Sequence, residues 1–161
     1  MWAISQVVLL LLIPLSVHAV DIADKVLVVK SEGKLYLLNK GKIIARMDAS
    51  FGGNPVGHKK QQGDERTPEG SYILDYKNPN SAFYKSIHIS YPNKADRQRA
   101  RKAGVDPGGD IMVHGQKNGL GWLSWVNQNF NWTQGCIAVS NSDMDIIWQS
   151  VKVGTPIEIK P

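Results

Sequence analysis

VLVVKSEGKLYLL, residues 26–38, reads as strand, turn, strand, and the rest of the chain is organised around that pattern. Val26-Leu27-Val28-Val29 is a β-branched apolar run, and Ser31-Glu32-Gly33 is a turn signal. Lys34 to Leu38 resumes as strand. Asn39-Lys40-Gly41 makes a second turn before Ile43-Ile44-Ala45. Three short strands joined by glycine-containing turns predict a β meander.

Toward the C-terminus the pattern changes. Residues 50–70 have loop chemistry: Phe51-Gly52-Gly53-Asn54-Pro55-Val56-Gly57, a polar stretch from Lys59 to Glu65, then Thr67-Pro68-Glu69-Gly70. A loop this long in a compact domain is usually functional. Tyr72-Ile73-Leu74 returns to strand. Ser86 to Tyr91 alternates, with Ile87, Ile89 and Tyr91 on one side and Ser86, His88 and Ser90 on the other. Ala95 to Ala103 reads as a basic helix ending at Gly104, its Arg97, Arg99, Arg101 and Lys102 forming a solvated face. Ile111-Met112-Val113 is a short strand leading into His114. Residues 115–132 form a second loop holding Trp122, Trp125, Phe130 and Trp132. Such aromatics either line a groove or pin the loop to the core, and their large apolar area favours pinning. Ser142-Asp143-Met144-Asp145 matches a capping box that opens a second helix, with Met144, Ile147, Trp148 and Val151 on one apolar face. Gly154-Thr155-Pro156 stops it, and Ile157-Glu158-Ile159 closes the chain as strand. The expected class is mainly β, with seven or eight strands and two short helices. A doubly wound sheet is disfavoured, because no βαβ alternation runs through the chain.

With 161 residues the chain accommodates one domain, expected over residues 20–161. Residues 1–19 read instead as a secretory signal: an apolar run from Val7 to Leu15, then Val17-His18-Ala19 with small residues where a signal peptidase cuts. The run is shorter than a spanning helix needs, so no membrane span is expected after cleavage. The formal net charge of +5 belongs wholly to the residues after the signal. A basic exported protein suits an anionic polymer or membrane surface, though solubility alone also explains the charge. Nucleic acid is disfavoured by export, and a monomer is expected.

One cysteine, Cys136, is present, so no intramolecular disulfide forms. A lone thiol in an oxidising compartment is either buried and inert or chemically employed. The residues around it suit employment. A cysteine nucleophile needs a base, oxyanion donors and access. His114, in Val113-His114-Gly115, can take the thiol proton. Gly135, in Thr133-Gln134-Gly135-Cys136-Ile137, permits close approach to the backbone and a run of N–H groups pointing one way. His88 is read as a surface or supporting residue and His58 as solvent-exposed. Asp64 and Glu65 are read as hydrated loop carboxylates. No two histidine or cysteine residues stand at close metal-ligand spacing, so neither metal nor cofactor is expected.

Gly63-Asp64-Glu65-Arg66-Thr67-Pro68-Glu69-Gly70-Ser71-Tyr72 resembles the "G-D-x-x-T-P-x-G-x-Y" segment of the L,D-transpeptidase catalytic domain, the YkuD-type family. Ile87-His88-Ile89-Ser90-Tyr91-Pro92, Val113-His114-Gly115, Thr133-Gln134-Gly135-Cys136-Ile137 and Gly154-Thr155-Pro156-Ile157 resemble its later motifs, in order. The resemblance implies a β-sandwich-like fold of mixed sheets. It also implies that Cys136 attacks a peptidoglycan stem peptide after its diamino acid, releasing a D-amino acid and leaving a thioester. An amine of a second stem then resolves the thioester into a cross-link. By the same resemblance the Gly115 carbonyl orients His114, Thr133 and Gln134 line the donor site, Gly135 and Cys136 supply the oxyanion hole, and His88 belongs to the substrate-binding set. Two positions depart from the common pattern. Gln134 stands where many members have His or Arg, and Ala138 stands where many have Arg. The Ala138 form resembles the YafK-like branch, whose members differ in passing the acyl group to an amine or to water. A hydrolase with the same nucleophile and a non-catalytic wall-binding module are the alternatives.

Overall fold

A computed structural model of the chain describes residues 21–123 and 130–161. The expected signal peptide and Trp125 lie outside the described residues. Eight strands form one mixed sheet: β1 (Lys25–Val29), β2 (Lys34–Asn39), β3 (Lys42–Asp48), β4 (Gly70–Asn78), β5 (Ser86–Ile89), β6 (Met112–His114), β7 (Ile137–Ala138) and β8 (Thr155–Lys160). Their order across the sheet is β3-β2-β1-β8-β4-β5-β6-β7. The meander read from residues 26–45 is present as antiparallel β1–β2–β3. β8 then inserts beside β1 in parallel and beside β4 antiparallel, so the last strand occupies the middle of the sheet.

Period-two alternation explains the burial. Val26 and Val28 of β1, Leu35 and Leu37 of β2, Ile87 and Ile89 of β5, and Ile157 and Ile159 of β8 point into one core. Each such side chain contributes roughly 1.5–3 kcal/mol when fully buried. The sheet curls until its ends meet. Ser50, just after β3, exchanges both backbone hydrogen bonds with Ala138 of β7, at 2.9 Å each. The expected mainly β fold of mixed strands is therefore realised as a single curled sheet rather than two separate ones.

Among the described residues two α-helices flank it. Helix α1 (Lys94–Ala103) starts at Asn93, whose side chain accepts from Ala95 and Asp96 N–H, and ends at Gly104 with φ 68°. Helix α2 (Asn141–Ser150) buries Met144 and Ile147 as its periodicity requires. Its cap differs from expectation. Ser140, not Ser142, accepts from the Asp143 N–H at 3.0 Å. Among the described residues no helix is long and apolar enough to cross a membrane.

Candidate active site

Two parallel strands bring the expected pair together. β6 and β7 are in register with Val113 opposite Ile137 and His114 opposite Ala138. Cys136 immediately precedes β7, so the turn that enters that strand carries the thiol beside the strand that ends in His114. His114 is only 3% exposed. Its Nδ1 lies 2.6 Å from the Gly115 carbonyl oxygen, so the ring donates there and leaves Nε2 as the free nitrogen of the neutral imidazole. The carbonyl-oriented histidine implied by the family resemblance is thus present. Gly115 has no room for a side chain, since a Cβ would lie 2.7 Å from the Tyr84 carbonyl oxygen and 2.8 Å from Asn141 Oδ1. Burial pushes the His114 pKa below its ordinary value, against a smaller upward pull from its bond to Gly115.

Cys136 opens onto a cleft of about 680 Å3 whose walls include Lys59, Glu65, Asp106, Asp110 and Gln134. Its Sγ lies 3.6 Å from the Asp110 carbonyl oxygen. Burial raises the thiol pKa. The Met112 backbone N–H pulls it down, the Asp110 charge pushes it up, and the Lys59 charge lowers it. With the thiol raised and the imidazole lowered, both groups rest neutral at neutral pH.

A tight turn presents the thiol. Thr133 Oγ1 accepts from Gly135 N–H at 3.1 Å and donates to the Cys136 carbonyl at 2.8 Å. Gly135 has φ 125°, and a Cβ there would lie 2.6 Å from the Arg66 carbonyl oxygen. The Thr67-Pro68 motif packs beneath this turn, with the buried Thr67 hydroxyl accepting from Gly52 N–H at 3.1 Å.

Some expected roles are reassigned by the geometry. Thr133 is buried and its hydroxyl is consumed by the turn, so it shapes the site instead of lining it. The Gly135 N–H is spent on Thr133, so it is not a free oxyanion donor. Gln134 does line the cleft. His88 does not. The antiparallel β5–β6 register puts Ser86 opposite His114 and His88 opposite Met112. His88 instead pairs with Asp75 at 2.6 Å, stacks on Tyr76 and borders a separate depression with Ser90 and Arg97. His58, expected in solvent, is half-buried, accepting the Glu69 N–H on Nδ1 and facing Asp96 at 3.1 Å.

Other residues at the site carry roles that differ from their sequence reading or had none there. Asp64 is no hydrated bystander: it pairs with the buried Lys59 at 2.8 Å and accepts backbone N–H groups of Lys60, Gln61 and Arg66. Phe83 lies over His114 with ring centroids 4.3 Å apart. Asn141 accepts from Gln116 N–H at 2.8 Å and so braces the segment after His114. The only advance signal for Asp64 was its place in the Gly63–Tyr72 motif. Among the described residues of the aromatic loop, Trp122 and Phe130 are not pinned as expected, being 69% and 66% exposed. Trp132, 36% exposed, touches the His114 ring edge with centroids 6.1 Å apart.

The family model described as the YkuD L,D-transpeptidase catalytic domain matches residues 23–159. YafK of Escherichia coli (strain K12), itself named only provisionally as an L,D-transpeptidase, is 33% identical over 78 residues, covering 47% of this chain and 30% of that protein. The structure of Pgp2 from Campylobacter jejuni, described as a helical cell shape determining protein, is 26% identical with a TM-score of 0.63, covering 85% of this chain and 48% of that one. Bd1075 of Bdellovibrio bacteriovorus is 25% identical with a TM-score of 0.57, covering 87% of this chain and 51% of that one. The chain therefore spans about half the length of these solved relatives and less of the curated one.

Proposed function

The chain belongs to the L,D-transpeptidase catalytic domain family, and from that membership we propose that it is an exported cysteine acyltransferase that cross-links peptidoglycan stem peptides. The observation that supports the reading is the parallel pairing of the strand that ends in His114 with the strand that Cys136 enters, together with the imidazole tautomer set by Gly115.

The thiol proton passes to His114 Nε2 as Cys136 Sγ attacks the carbonyl that follows the stem's diamino acid. The Cys136 N–H holds the developing oxyanion, the Gly135 N–H being occupied. Collapse breaks the C–N bond, and His114 returns its proton to the departing D-amino acid. An amine of a second stem then attacks the thioester, passing its proton through His114 to the released sulfur. Gln134 on the cleft wall contacts the donor, in place of the Arg that position 138 lacks. Residues 1–19 deliver the domain to the cell envelope.

Intact-protein mass spectrometry after carbapenem treatment tests the nucleophile: one covalent adduct is expected, absent in Cys136→Ala. An unmodified wild type, or an adduct that survives the substitution, contradicts the proposal. Incubation with purified disaccharide-tetrapeptide tests the acceptor. Cross-linked dimers support transfer, whereas tripeptide alone assigns the same nucleophile to hydrolysis.

A further inference from the structure

We propose that the exposed face of α1 is a second contact site for polymeric substrate, a cationic surface that holds carboxylates of a peptidoglycan strand while another stem reacts at Cys136; the identity of the polymer rests on the function proposed above. Helix α1 reads KADRQRARKA, with five basic residues and one carboxylate, a formal +4 against +5 for the whole chain. The carboxylate is turned inward. Asp96 is 3% exposed and accepts from the Tyr72 hydroxyl and from Asn93 N–H, each at 3.0 Å, and it also pairs with Arg99 and His58. What remains outward is cationic. Lys94, Arg97 and Arg101 stand at i, i+3 and i+7, an exposed stripe on one side of the helix. Among the described residues none of the three pairs with a carboxylate, the ion pair of α1 with Asp96 being made by Arg99. Like charges at this spacing destabilise a helix, and an anionic partner relieves their repulsion.

The stripe borders two hollows that share Arg97. One, of about 250 Å3, is lined by Arg97, Arg101, Val105 and Pro107. The other, of about 420 Å3, is lined by His88, Ser90, Lys94 and Arg97. The segment that follows α1 borders both the first hollow and the Cys136 cleft: Val105 and Pro107 line the hollow, and Asp106 and Gly108 line the cleft. This ridge is fastened. The Tyr91 hydroxyl donates to the Pro107 carbonyl at 2.9 Å, and Gln62 N–H donates to the Asp106 carbonyl at 2.8 Å. A polymer strand crossing the ridge reaches from the reacting thiol to the stripe. Its chemistry suits the stripe, since each stem ends in a carboxylate and the guanidinium fork matches a carboxylate in two hydrogen bonds. A bilayer fits less well. Helices that lie on membranes set large apolar side chains beside their basic ones, whereas the exposed positions of α1 are all Lys, Arg, Gln or Ala.

Sedimentation of the protein with purified sacculi tests the site. Wild type should co-sediment at low ionic strength and be released as salt rises, because exposed charges are screened. The stripe variant Lys94→Gln/Arg97→Gln/Arg101→Gln should bind on the order of tenfold more weakly, the loss expected of three exposed ion pairs. Its carbapenem acylation and its turnover of disaccharide-tetrapeptide, which offers no second stem, should stay at wild-type rates. Lys94→Gln/Arg101→Gln leaves the Arg97 bond to the Pro92 carbonyl in place and serves if the triple variant does not fold. Lys40→Gln/Lys42→Gln/Arg46→Gln removes the same charge elsewhere and should bind as wild type does. Equal losses in the two triple variants overturn the site, since net charge alone then accounts for binding. A wild type that does not co-sediment overturns it, as does a folded stripe variant that binds sacculi normally. A loss confined to phosphatidylglycerol vesicles assigns the face to a membrane and overturns it too. A wild type that binds sacculi through the stripe yet forms no acyl-enzyme supports the contact site and overturns the thioester reading instead.

Discussion

Thr133 donates its hydroxyl to the carbonyl oxygen of Cys136 at 2.8 Å, and the Thr133 Oγ1 atom itself accepts the Gly135 N–H at 3.1 Å. One buried side chain therefore sets the turn that presents the Cys136 thiol. Thr133→Val keeps the volume but leaves the Gly135 N–H unpaired, a cost of about 1–3 kcal/mol. Carbapenem acylation of Cys136 should slow by roughly tenfold to a hundredfold, while Thr133→Ser stays near wild type. Stopped-flow acylation measures both, and an unaffected Thr133→Val refutes the turn's role.

Gly135→Ala tests the same turn from its backbone. The new Cβ meets the Arg66 carbonyl at 2.6 Å and Ile111 Cδ1 at 3.2 Å, at a φ of 125° that side chains rarely adopt. Acylation should be abolished and the melting temperature lowered. A fully active alanine variant is inconsistent with this geometry.

The thiol of the free protein should be a poor nucleophile at neutral pH. Burial raises the Cys136 pKa above its ordinary 9.0, and the Met112 N–H and Lys59 only partly oppose it. Alkylation by iodoacetamide should be slow at neutral pH and climb through the range above pH 9. Carbapenem acylation, which needs neutral His114, should lose rate only well on the acid side of 6.5, because burial lowers that pKa. Fast alkylation already at pH 6 implies a resting thiolate–imidazolium pair and contradicts the neutral resting state.

Asp64 anchors the loop wall of the cleft through Lys59, whose side chain is 3% exposed. Asp64→Asn strips the buried ammonium of its counter-charge, at about 3 kcal/mol, or on the order of 10 °C in melting temperature. Burial pushes the Asp64 pKa up, but the bond from Lys59 and the backbone N–H groups of Lys60, Arg66 and Gln61 together bring it below 3.8. Its stabilisation is thus present above pH 3.8 and lost as the pH falls through the lower folded value. The melting-temperature gap between wild type and Asp64→Asn should close in that acid window. A gap that does not change with pH contradicts a charge-based anchor.

The two possible caps of α2 are separable. Ser140→Ala should cost about 1 kcal/mol in chemical denaturation and Ser142→Ala much less, because Ser140 holds the Asp143 N–H. Equal effects reject the assignment.

Ser140 also shows where local reading stops. Ser140-Asn141-Ser142-Asp143 and Ser142-Asp143-Met144-Asp145 both fit a cap pattern. The choice falls to the first because Met144 N–H already bonds Ser140 O at 2.9 Å, starting the turn that buries Met144 and Ile147. His88 failed as a cleft residue for a comparable reason. Its motif suggested a site role, but the β5–β6 register places it beside Asp75 and Tyr76. Strand register depends on pairing across the sheet, which no local pattern contains.

By itself the sequence determined the strands, through period-two alternation, and singled out Cys136, His114 and Gly115 as candidates, because the motifs around them are short and contiguous. Only the tertiary structure decided what surrounds them. Lys59 and Asp110 lie far from Cys136 in the chain, yet their charges bear on its thiol, and Phe83, as distant, lies over the His114 ring. Burial and electrostatic potential at a point sum over every segment packed there, and that sum exists only once the sheet has curled.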